Sequence, residues 1–255
     1  MKKSFADRII ISSKDHSSRA VLALDVIANK SSQLMERALS LLNELSLHIA
    51  AVKLNYHLLL PLNLFTDVKR IVDRAHNYGL QVIADLKLND IASTNLVASD
   101  YLWRAGFDAI IANPFIGYEE GLEPVIKRAH EMNKGIILLA YMSHKGSKEG
   151  YGLTIINKNL RQEKIYELFV KRAIEWNADG IVVGATDLDI LLSIASRAKG
   201  KLLIFSPGIG AQGGDAMRAV KAGADFIIIG RAIIESKDPL SNLVNLVNQI
   251  NSILT

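Results

Sequence analysis

The sequence predicts an α/β protein that folds as a single (β/α)8 TIM barrel over residues 1–255. Three observations predict this fold: short apolar runs alternate with helical segments, the runs number eight, and polar residues follow many of them. The chain of 255 residues has the length that one such barrel needs, and we find no linker or low-complexity segment in it. A doubly wound open sheet is the competing topology, because periodicity alone does not exclude it.

Each predicted strand is a continuous apolar run bounded by Gly, Asp, Asn or Pro. Such runs fit strands that are buried on both faces, as in a parallel sheet. The eight runs are Ala20–Leu24, His48–Leu54, Leu80–Ala84, Ala109–Ala112, Gly135–Tyr141, Gly180–Val183, Leu202–Ser206 and Phe226–Gly230.

Residues between the strands recur with helical spacing. One face is formed by Leu34, Ala38, Leu41, Leu42 and Leu45, and another by Ile165, Leu168, Phe169, Arg172, Ala173 and Trp176. The pair Ser31-Ser32 predicts the N-cap of the first of these helices. The segment from Ser143 to about Lys164 is long for a loop between a strand and a helix, which predicts a lid or binding loop, with disorder or a short extra helix as the alternatives.

The composition excludes several classes of function. The chain is 49% hydrophobic and 22% charged, without cysteine, which excludes disulfides and thiolate chemistry and favours a cytoplasmic location. The net charge of +4 is spread along the chain without a basic, aromatic-rich run, so we expect no nucleic-acid partner. No apolar run is long enough to span a membrane. The six histidines lack ligand spacing, and we expect neither a metal nor a cofactor.

Charged residues follow the third run directly. Side chains two apart on a strand point to the same face, so Asp85 and Lys87 are expected to project together, with Asp90 close behind. Burying such an ion pair costs stability, and its presence favours a catalytic site over the alternative of a solvated loop edge.

The other predicted strands also end in polar residues, in glycine or in proline. They are Asp25, Lys53, Asn113, Ser143, Gly184, Pro207 and Gly230-Arg231. In one barrel mouth, alternating lysines and aspartates suit the stabilisation and protonation of a carbanion. The glycine-rich stretch from Gly208 to Gly214 follows the seventh strand, and Arg231 follows the eighth, which together predict a phosphate site. Gln212 is expected to add an amide donor there.

These motifs together resemble the orotidine 5′-phosphate decarboxylase family. The resemblance is carried by Leu24-Asp25, Val52-Lys53, the Asp-x-Lys-x-x-Asp-Ile block from Asp85 to Ile91 with Thr94, Met142-Ser143-His144, the block Ser206–Gly214 and Ile229-Gly230-Arg231. It covers essentially the whole chain in the right order. It implies loss of CO₂ from orotidine 5′-phosphate to give uridine 5′-phosphate, the last step of de novo pyrimidine nucleotide synthesis. It also implies a homodimer of barrels that needs no metal or cofactor.

The resemblance also implies roles for individual residues. Lys87 would protonate C6, Asp85 would lie beside the substrate carboxylate, and Lys53 would complete the charge network. The partner subunit would supply Asp90, Ile91 and Thr94. The substrate-binding residues would be Asp25 and Lys53 at the ribose, Ser143 at the pyrimidine, Gln212, Arg231 and the backbone near Gly230 at the phosphate, together with Pro207.

Two other functions compete with this interpretation. A Mg²⁺-dependent decarboxylase or aldolase of sugar phosphates, of the 3-keto-L-gulonate 6-phosphate type, shares the array of Asp85, Lys87 and Asp90. A catalytically silent nucleotide-binding barrel would need the phosphate and base contacts without the charge network. The Ser143 block and the Gln212 loop favour the pyrimidine nucleotide over the sugar phosphate, and the retained charged residues argue against a silent barrel.

Overall fold

Eight parallel strands close into a barrel in this computed structural model, which describes residues 3–157, 159–210 and 212–254. The barrel strands are β1 (Ala20–Ala23), β2 (Ala51–Leu54), β3 (Gln81–Leu88), β4 (Ala109–Ala112), β5 (Gly135–Tyr141), β8 (Gly180–Val183), β9 (Leu203–Ser206) and β10 (Phe226–Ile229). They follow one another in this order, and β10 pairs with β1, where Ile227 lies opposite Ala20. The predicted (β/α)8 barrel is therefore confirmed, and the competing open sheet is wrong.

Helices connect the strands on the outside of the barrel. They are α1 (Phe5–Asp15), α2 (Ser31–Leu45), α3 (Tyr56–Leu59), α4 (Lys69–Asn77), α5 (Ala92–Arg104), α6 (Glu123–Glu131), α7 (Ile165–Glu175), α8 (Leu188–Ala198), α9 (Ala216–Lys221), α10 (Arg231–Ile234) and α11 (Pro239–Asn251). Single helical turns of 3₁₀ or π type lie at Ser46–His48, Leu64–Val68, Pro114–Ile116 and Lys145–Glu149, and an irregular turn with non-helical dihedral angles at Glu119 and Glu120 lies at Tyr118–Leu122. No helix in the described ranges has the length and hydropathy to cross a membrane.

The long segment after β5 is ordered in the part that the structure describes. It contains the turn Lys145–Glu149 and an antiparallel hairpin of β6 (Thr154–Ile156) and β7 (Gln162–Lys164), in which Ile155 pairs with Glu163. Lys158 lies outside the described residues. The alternative of a short extra helix is thus partly correct, and the hairpin was not predicted.

Most of the predicted strands agree with the structure, but two boundaries differ by more than one residue. His48 ends a 3₁₀ turn, so β2 begins only at Ala51. In contrast, β3 runs past the predicted end at Ala84 as far as Leu88. The predicted N-cap of α2 is wrong, because Lys30 occupies that position and the Ser31 hydroxyl donates to the Pro61 carbonyl instead.

The core has two layers. One lies between the strands and the helices, and includes the whole predicted face of α2 as well as Phe169 and Ala173 of α7. The other fills the barrel interior, where the rings of Phe205 and Phe226 stack at a centroid distance of 5.1 Å. Inward residues alternate along each strand, as the pleat requires.

Helix α1 closes the amino-terminal end of the barrel. Its Phe5 and Ile9 are fully buried among the interior side chains. A Cβ atom on Gly135 would overlap the Phe5 ring, so the first residue of β5 has to be glycine for the helix to seat. Arg8 fastens the same helix by donating to Gln81 at 2.9 Å and to the Asn133 carbonyl at 2.8 Å.

The same hydrogen-bonding arrangement occurs three times at this end of the barrel. Three aspartates stand directly before β4, β8 and β10, and each accepts the N–H of the second residue of the neighbouring strand. Asp108 accepts from Val82 N at 2.9 Å, Asp179 from Ile136 N at 2.9 Å, and Asp225 from Ile204 N at 2.8 Å. These carboxylates satisfy backbone donors that would otherwise be unpaired at the start of the sheet.

Candidate active site

A cavity of about 210 Å³ opens at the carboxyl ends of the strands. The structure brings most of the predicted site residues to its wall: Asp25, Lys53, Asp85, Lys87, Ser143, Pro207, Gln212, Gly230 and Arg231. The rest of the lining is Asn55, Gly208 and an apolar group of Ala23, Ile111, Leu139, Met142, Val182, Ile209 and Ile228. The polar wall and the apolar wall face the same space, which suits a ligand with a charged end and a planar or apolar part.

The strand pleat explains why the charged side chains point inward. Val21 and Ala23 face the barrel interior, and the same alternation places Asp25 at the rim. In the same way Ala51 leads to Lys53 on β2, and Ile83 leads to Asp85 on β3. Three apolar strands thus continue into the site as charged residues.

The charged residues form one chain of contacts. Lys53 Nζ lies 2.8 Å from Asp85 Oδ2 and 3.8 Å from Asp25 Oδ1, and Lys87 Nζ lies 2.7 Å from Asp85 Oδ1. Each oxygen of Asp85 therefore meets a different lysine. Burial alone would raise the pKa of Asp85, but the charges and hydrogen bonds of Lys53 and Lys87 outweigh it, so its pKa is lowered. Asp85 is held as a carboxylate between two ammonium groups.

Lys87 reaches Asp85 through an irregular strand end. The expectation that the two side chains project together is confirmed by their contact, but the backbone between them is not a regular strand. Lys87 has φ +49°, in the left-handed region, and the β3–β4 pairing shifts register between Ala84 and Leu88. A non-glycine residue in this region is strained, and such strain persists where surrounding contacts hold it, commonly at functional sites.

Asn55 is a site residue that the sequence reasoning missed. Its Nδ2 donates to Asp25 Oδ1 at 2.8 Å, and its Oδ1 accepts from the backbone N of His57 at 2.9 Å. The His57 ring also contacts Asn55 Oδ1 at 2.7 Å, so the amide orientation is fixed from both sides. The two-residue spacing from Ala51 through Lys53 would have identified Asn55 as the next inward position.

The glycine-rich stretch forms a compact loop beside the cavity. Gly208, Gly210 and Gly213 have φ of +98°, +67° and +89°, which favours glycine at each position. A Cβ on Gly208 would lie 2.7 Å from Ser143 Cβ and 3.0 Å from Gln212 Oε1. The absence of a side chain at 208 therefore lets the loop, Ser143 and Gln212 meet at one wall. Ala211 lies outside the described residues.

Three predicted residues do not reach this cavity. Asp90, Ile91 and Thr94 lie between the end of β3 and the first turn of α5, and all three are exposed, with Ile91 63% accessible. Their place fits residues directed away from their own barrel. Their role at a partner's site stays a prediction.

The fold and the cavity together define an α/β-barrel protein with a charged, ligand-sized site at the carboxyl ends of its strands. Comparison with known proteins identifies a family within this class of barrel proteins. Over residues 18–244 the sequence matches the family described as "Orotidine 5'-phosphate decarboxylase / HUMPS family", and the chain belongs to this family.

Individual relatives agree with this membership. Orotidine 5′-phosphate decarboxylase of Thermococcus kodakarensis is 35% identical over 224 residues, which cover 87% of this chain and 92% of that protein. The Methanocaldococcus jannaschii orotidine 5′-monophosphate decarboxylase structure, complexed with inhibitor BMP, has a TM-score of 0.77 at 27% identity, covering 92% of this chain and 99% of the other. The Leishmania donovani UMP synthase structure has a TM-score of 0.84 at 27% identity. The match covers 99% of this chain but only 57% of that longer protein.

Proposed function

We propose that this protein decarboxylates orotidine 5′-phosphate to uridine 5′-phosphate, without a metal or cofactor, and that Lys87 supplies the proton. The observation that carries the proposal is the shared carboxylate of Asp85 between Lys53 and Lys87 at the mouth of the barrel. Family membership and the named relatives support the same reaction.

The proposed chemistry needs only the residues of the charge chain. The bond between C6 and the carboxylate breaks, CO₂ leaves, and the electron pair stays on C6. The Lys87 ammonium stabilises this developing charge and then transfers a proton to C6, becoming an amine that takes up a proton before the next turnover. Asp85 fixes the ammonium through the contact at 2.7 Å and presents a negative charge near the substrate carboxylate.

The remaining lining residues suit the other parts of a nucleotide. We propose that Asp25 and Lys53 bind the ribose hydroxyls and that Ser143 and Pro207 lie along the pyrimidine. Gln212, Arg231 and the backbone near Gly230 would hold the phosphate. Phosphate binding far from the reacting carbon can fasten the glycine-rich loop over the cavity, and this binding energy then favours the transition state.

A homodimer would complete the site. The face that follows β2, β3 and β4 exposes seven large apolar side chains: Tyr56, Leu60, Phe65, Ile91, Val97, Tyr101 and Phe115. Phe65 and Tyr101 meet edge to face at 5.9 Å, with the Arg104 guanidinium over both rings. A surface of this kind favours burial against another protein. We propose that a second copy covers it and receives Asp90, Ile91 and Thr94.

Two broader statements accompany the proposal. The barrel and its helices occupy Phe5–Asn251 with two undescribed residues between them, which supports one catalytic domain over residues 1–255. A cytoplasmic location stays a prediction from the cysteine-free composition.

The Mg²⁺-dependent sugar-phosphate enzyme remains the second candidate, because the family description also includes HUMPS. The carboxylates of the cavity do not favour it: Asp25 and Asp85 both face the Lys53 ammonium, which competes with a cation for their oxygens. Within the described ranges, no three His, Asp or Glu side chains are grouped as a metal site requires.

The deciding experiment follows the absorbance of orotidine 5′-phosphate after enzyme is added, with and without EDTA. We expect conversion to uridine 5′-phosphate at the same rate in both samples. Conversion that EDTA stops would contradict the metal-free mechanism while leaving the reaction in place. A folded protein that leaves orotidine 5′-phosphate unchanged would overturn the proposal, and 3-keto-L-gulonate 6-phosphate with Mg²⁺ would be assayed next.

A further inference from the structure

The strained backbone at Lys87 is held from both sides. On its carboxyl side, Leu88 returns to the sheet: it pairs with Ala112, and the Leu88 carbonyl accepts from Asn113 N at 2.9 Å. On its amino side, the sheet gives no such support. The pairing with β2 ends at Ala84, and the pairing with β4 passes from Ala84 directly to Leu88. Leu86 is therefore outside both ladders.

A tyrosine hydroxyl supplies the missing contact. Tyr56 Oη donates to the Leu86 carbonyl at 2.8 Å, one residue before the left-handed Lys87. Without this donor the carbonyl would depend on solvent at the point where the chain leaves the regular strand. Tyr56 begins α3, directly after the strand that carries Lys53.

Two contacts thus join the end of β2 to the end of β3. Lys53 bonds to the Asp85 side chain, and three residues later Tyr56 bonds to the Leu86 backbone, both at 2.8 Å. We propose that Tyr56 is a positioning residue of the active site, which fixes the β3 terminus so that the Lys87 ammonium stays on Asp85. The inference rests on the proposed function, because it assigns Tyr56 to the placement of the proposed proton donor.

A purely structural role for Tyr56 would make loss of its hydroxyl lower the stability of the whole fold. Tyr56 is 49% exposed, so its ring contributes little to the core, and its hydroxyl has a neutral backbone acceptor. Loss of the hydroxyl would therefore leave global stability nearly unchanged. We expect loss of the hydroxyl to change the position of Lys87 instead. This position affects the rate of the chemical step more than the affinity for the nucleotide.

The test compares Tyr56→Phe with Tyr78→Phe. Tyr78 is a matched control, since its hydroxyl also donates to a neutral oxygen, Asn43 Oδ1 at 3.1 Å. Asn43 lies in α2, whereas Leu86 stands between the cavity-lining residues Asp85 and Lys87. For each variant we would measure kcat and KM with orotidine 5′-phosphate, and amide hydrogen exchange over residues 84–90. In Tyr56→Phe we expect kcat to fall about tenfold with KM unchanged within about twofold, and exchange in 84–90 to accelerate about fivefold.

The control variant is expected to match the wild type in all three quantities. Unchanged kcat in Tyr56→Phe, or a rise in KM as large as the fall in kcat, would overturn the positioning role. An equal effect in Tyr78→Phe would do the same. Hydrogen exchange separates this inference from the proposed reaction: a wild-type protein without turnover contradicts the reaction, whereas unchanged exchange over 84–90 contradicts the role of Tyr56.

Discussion

At the scale of single residues, Asp85 is the centre of the site because both of its oxygens are engaged by lysines. The two contacts are not equivalent. Lys53 is buried, with 7% of its side chain accessible, whereas Lys87 is 34% accessible and faces the cavity. Lys53 therefore compensates the buried charge of Asp85, and Lys87 is the ammonium that is more accessible to a ligand.

This asymmetry leads to a prediction for Lys87→Ala. We expect kcat to fall at least about 10³-fold, because the proton donor is lost, while binding of uridine 5′-phosphate weakens by less than about fivefold. Steady-state kinetics and calorimetric titration would measure the two effects. Lys199→Ala, at an exposed lysine beyond α8, serves as the control and should retain wild-type values. Turnover by Lys87→Ala close to the wild-type rate would show that another group delivers the proton.

Residue types and spacing predicted the polar wall of the cavity well, since period-two alternation carries each strand into the site. One feature was out of reach for a physical reason. The left-handed Lys87 lies between two residues whose carbonyls are bound by Tyr56 and Asn113, and these partners are distant in sequence. Asn55 was within reach of the two-residue spacing but was missed, because an amide directly after a strand is equally typical of a turn or helix cap, and it does cap α3.

At the scale of elements, the amino-terminal end of the barrel depends on the aspartates that precede its strands. Asp108 has the most partners: besides Val82 N, it contacts His76 Nε2 at 2.8 Å, Arg8 at 3.3 Å and Lys134 at 3.7 Å. Burial alone would raise the pKa of Asp108, but His76, Lys134 and the Val82 N–H outweigh it and its pKa is lowered. The carboxylate joins α1 and the loops before β4 and β5 to the edge of β3.

Asp108→Asn is predicted to destabilise the fold in a pH-dependent manner. The amide keeps an acceptor for Val82 N but loses the ion pairs, so the free energy of unfolding at pH 7 should fall by about 2 to 4 kcal/mol. Because the folded pKa of Asp108 is lowered, its stabilisation is present above the unfolded value of about 3.9 and is lost as the pH falls through the folded pKa. Urea unfolding at pH 7 and at decreasing pH would measure this.

The appropriate control is Asp73→Asn, which removes an exposed ion pair with Lys69. Exposed pairs of this kind contribute little, so its effect should stay below about 0.5 kcal/mol. A loss in Asp108→Asn that does not shrink as the pH falls would contradict the assigned role of the charge.

Strand and helix positions were largely predictable, because the apolar runs are continuous and the intervals have helical spacing. The extension of β3 was not, since charged residues such as Asp85 and Lys87 normally mark the end of a buried strand. They continue it here because each charge has a partner inside the barrel mouth. The hairpin of β6 and β7 was also missed, as Gln162-Glu163-Lys164 lacks the apolar character that identifies a strand.

At the scale of the whole molecule, the distribution of exposed apolar side chains is uneven. Seven of them follow β2, β3 and β4, and one of the seven, Ile91, lies in the segment that also carries Asp90 and Thr94. The predicted dimer would therefore bury this face and complete two sites by the same contact, as a two-fold axis requires.

Leu60→Asp tests the assembly without disturbing the barrel, since Leu60 is 76% exposed in the single chain. We expect sedimentation equilibrium to show a dimer for the wild type and at least about a hundredfold weaker association for the variant, because a charge would be buried in the interface. Leu192→Asp, at a 58% exposed leucine on α8, is the control and should remain dimeric. A wild-type protein that sediments as a monomer would refute the predicted dimer.

The seating of Phe5 against Gly135 has a practical consequence for laboratory evolution of this protein. Phe5, Ile9 and Gly135, which meet at the amino-terminal end of the barrel, are not among the residues that line the cavity. Libraries in which the loops at the carboxyl ends of the strands are randomised would thus leave the contacts of Phe5 intact. Losses of activity in such libraries would report on ligand recognition and not on unfolding of the barrel. We expect position 135 to tolerate no replacement, because the side chain of any other amino acid would displace Phe5 from the amino-terminal end of the barrel.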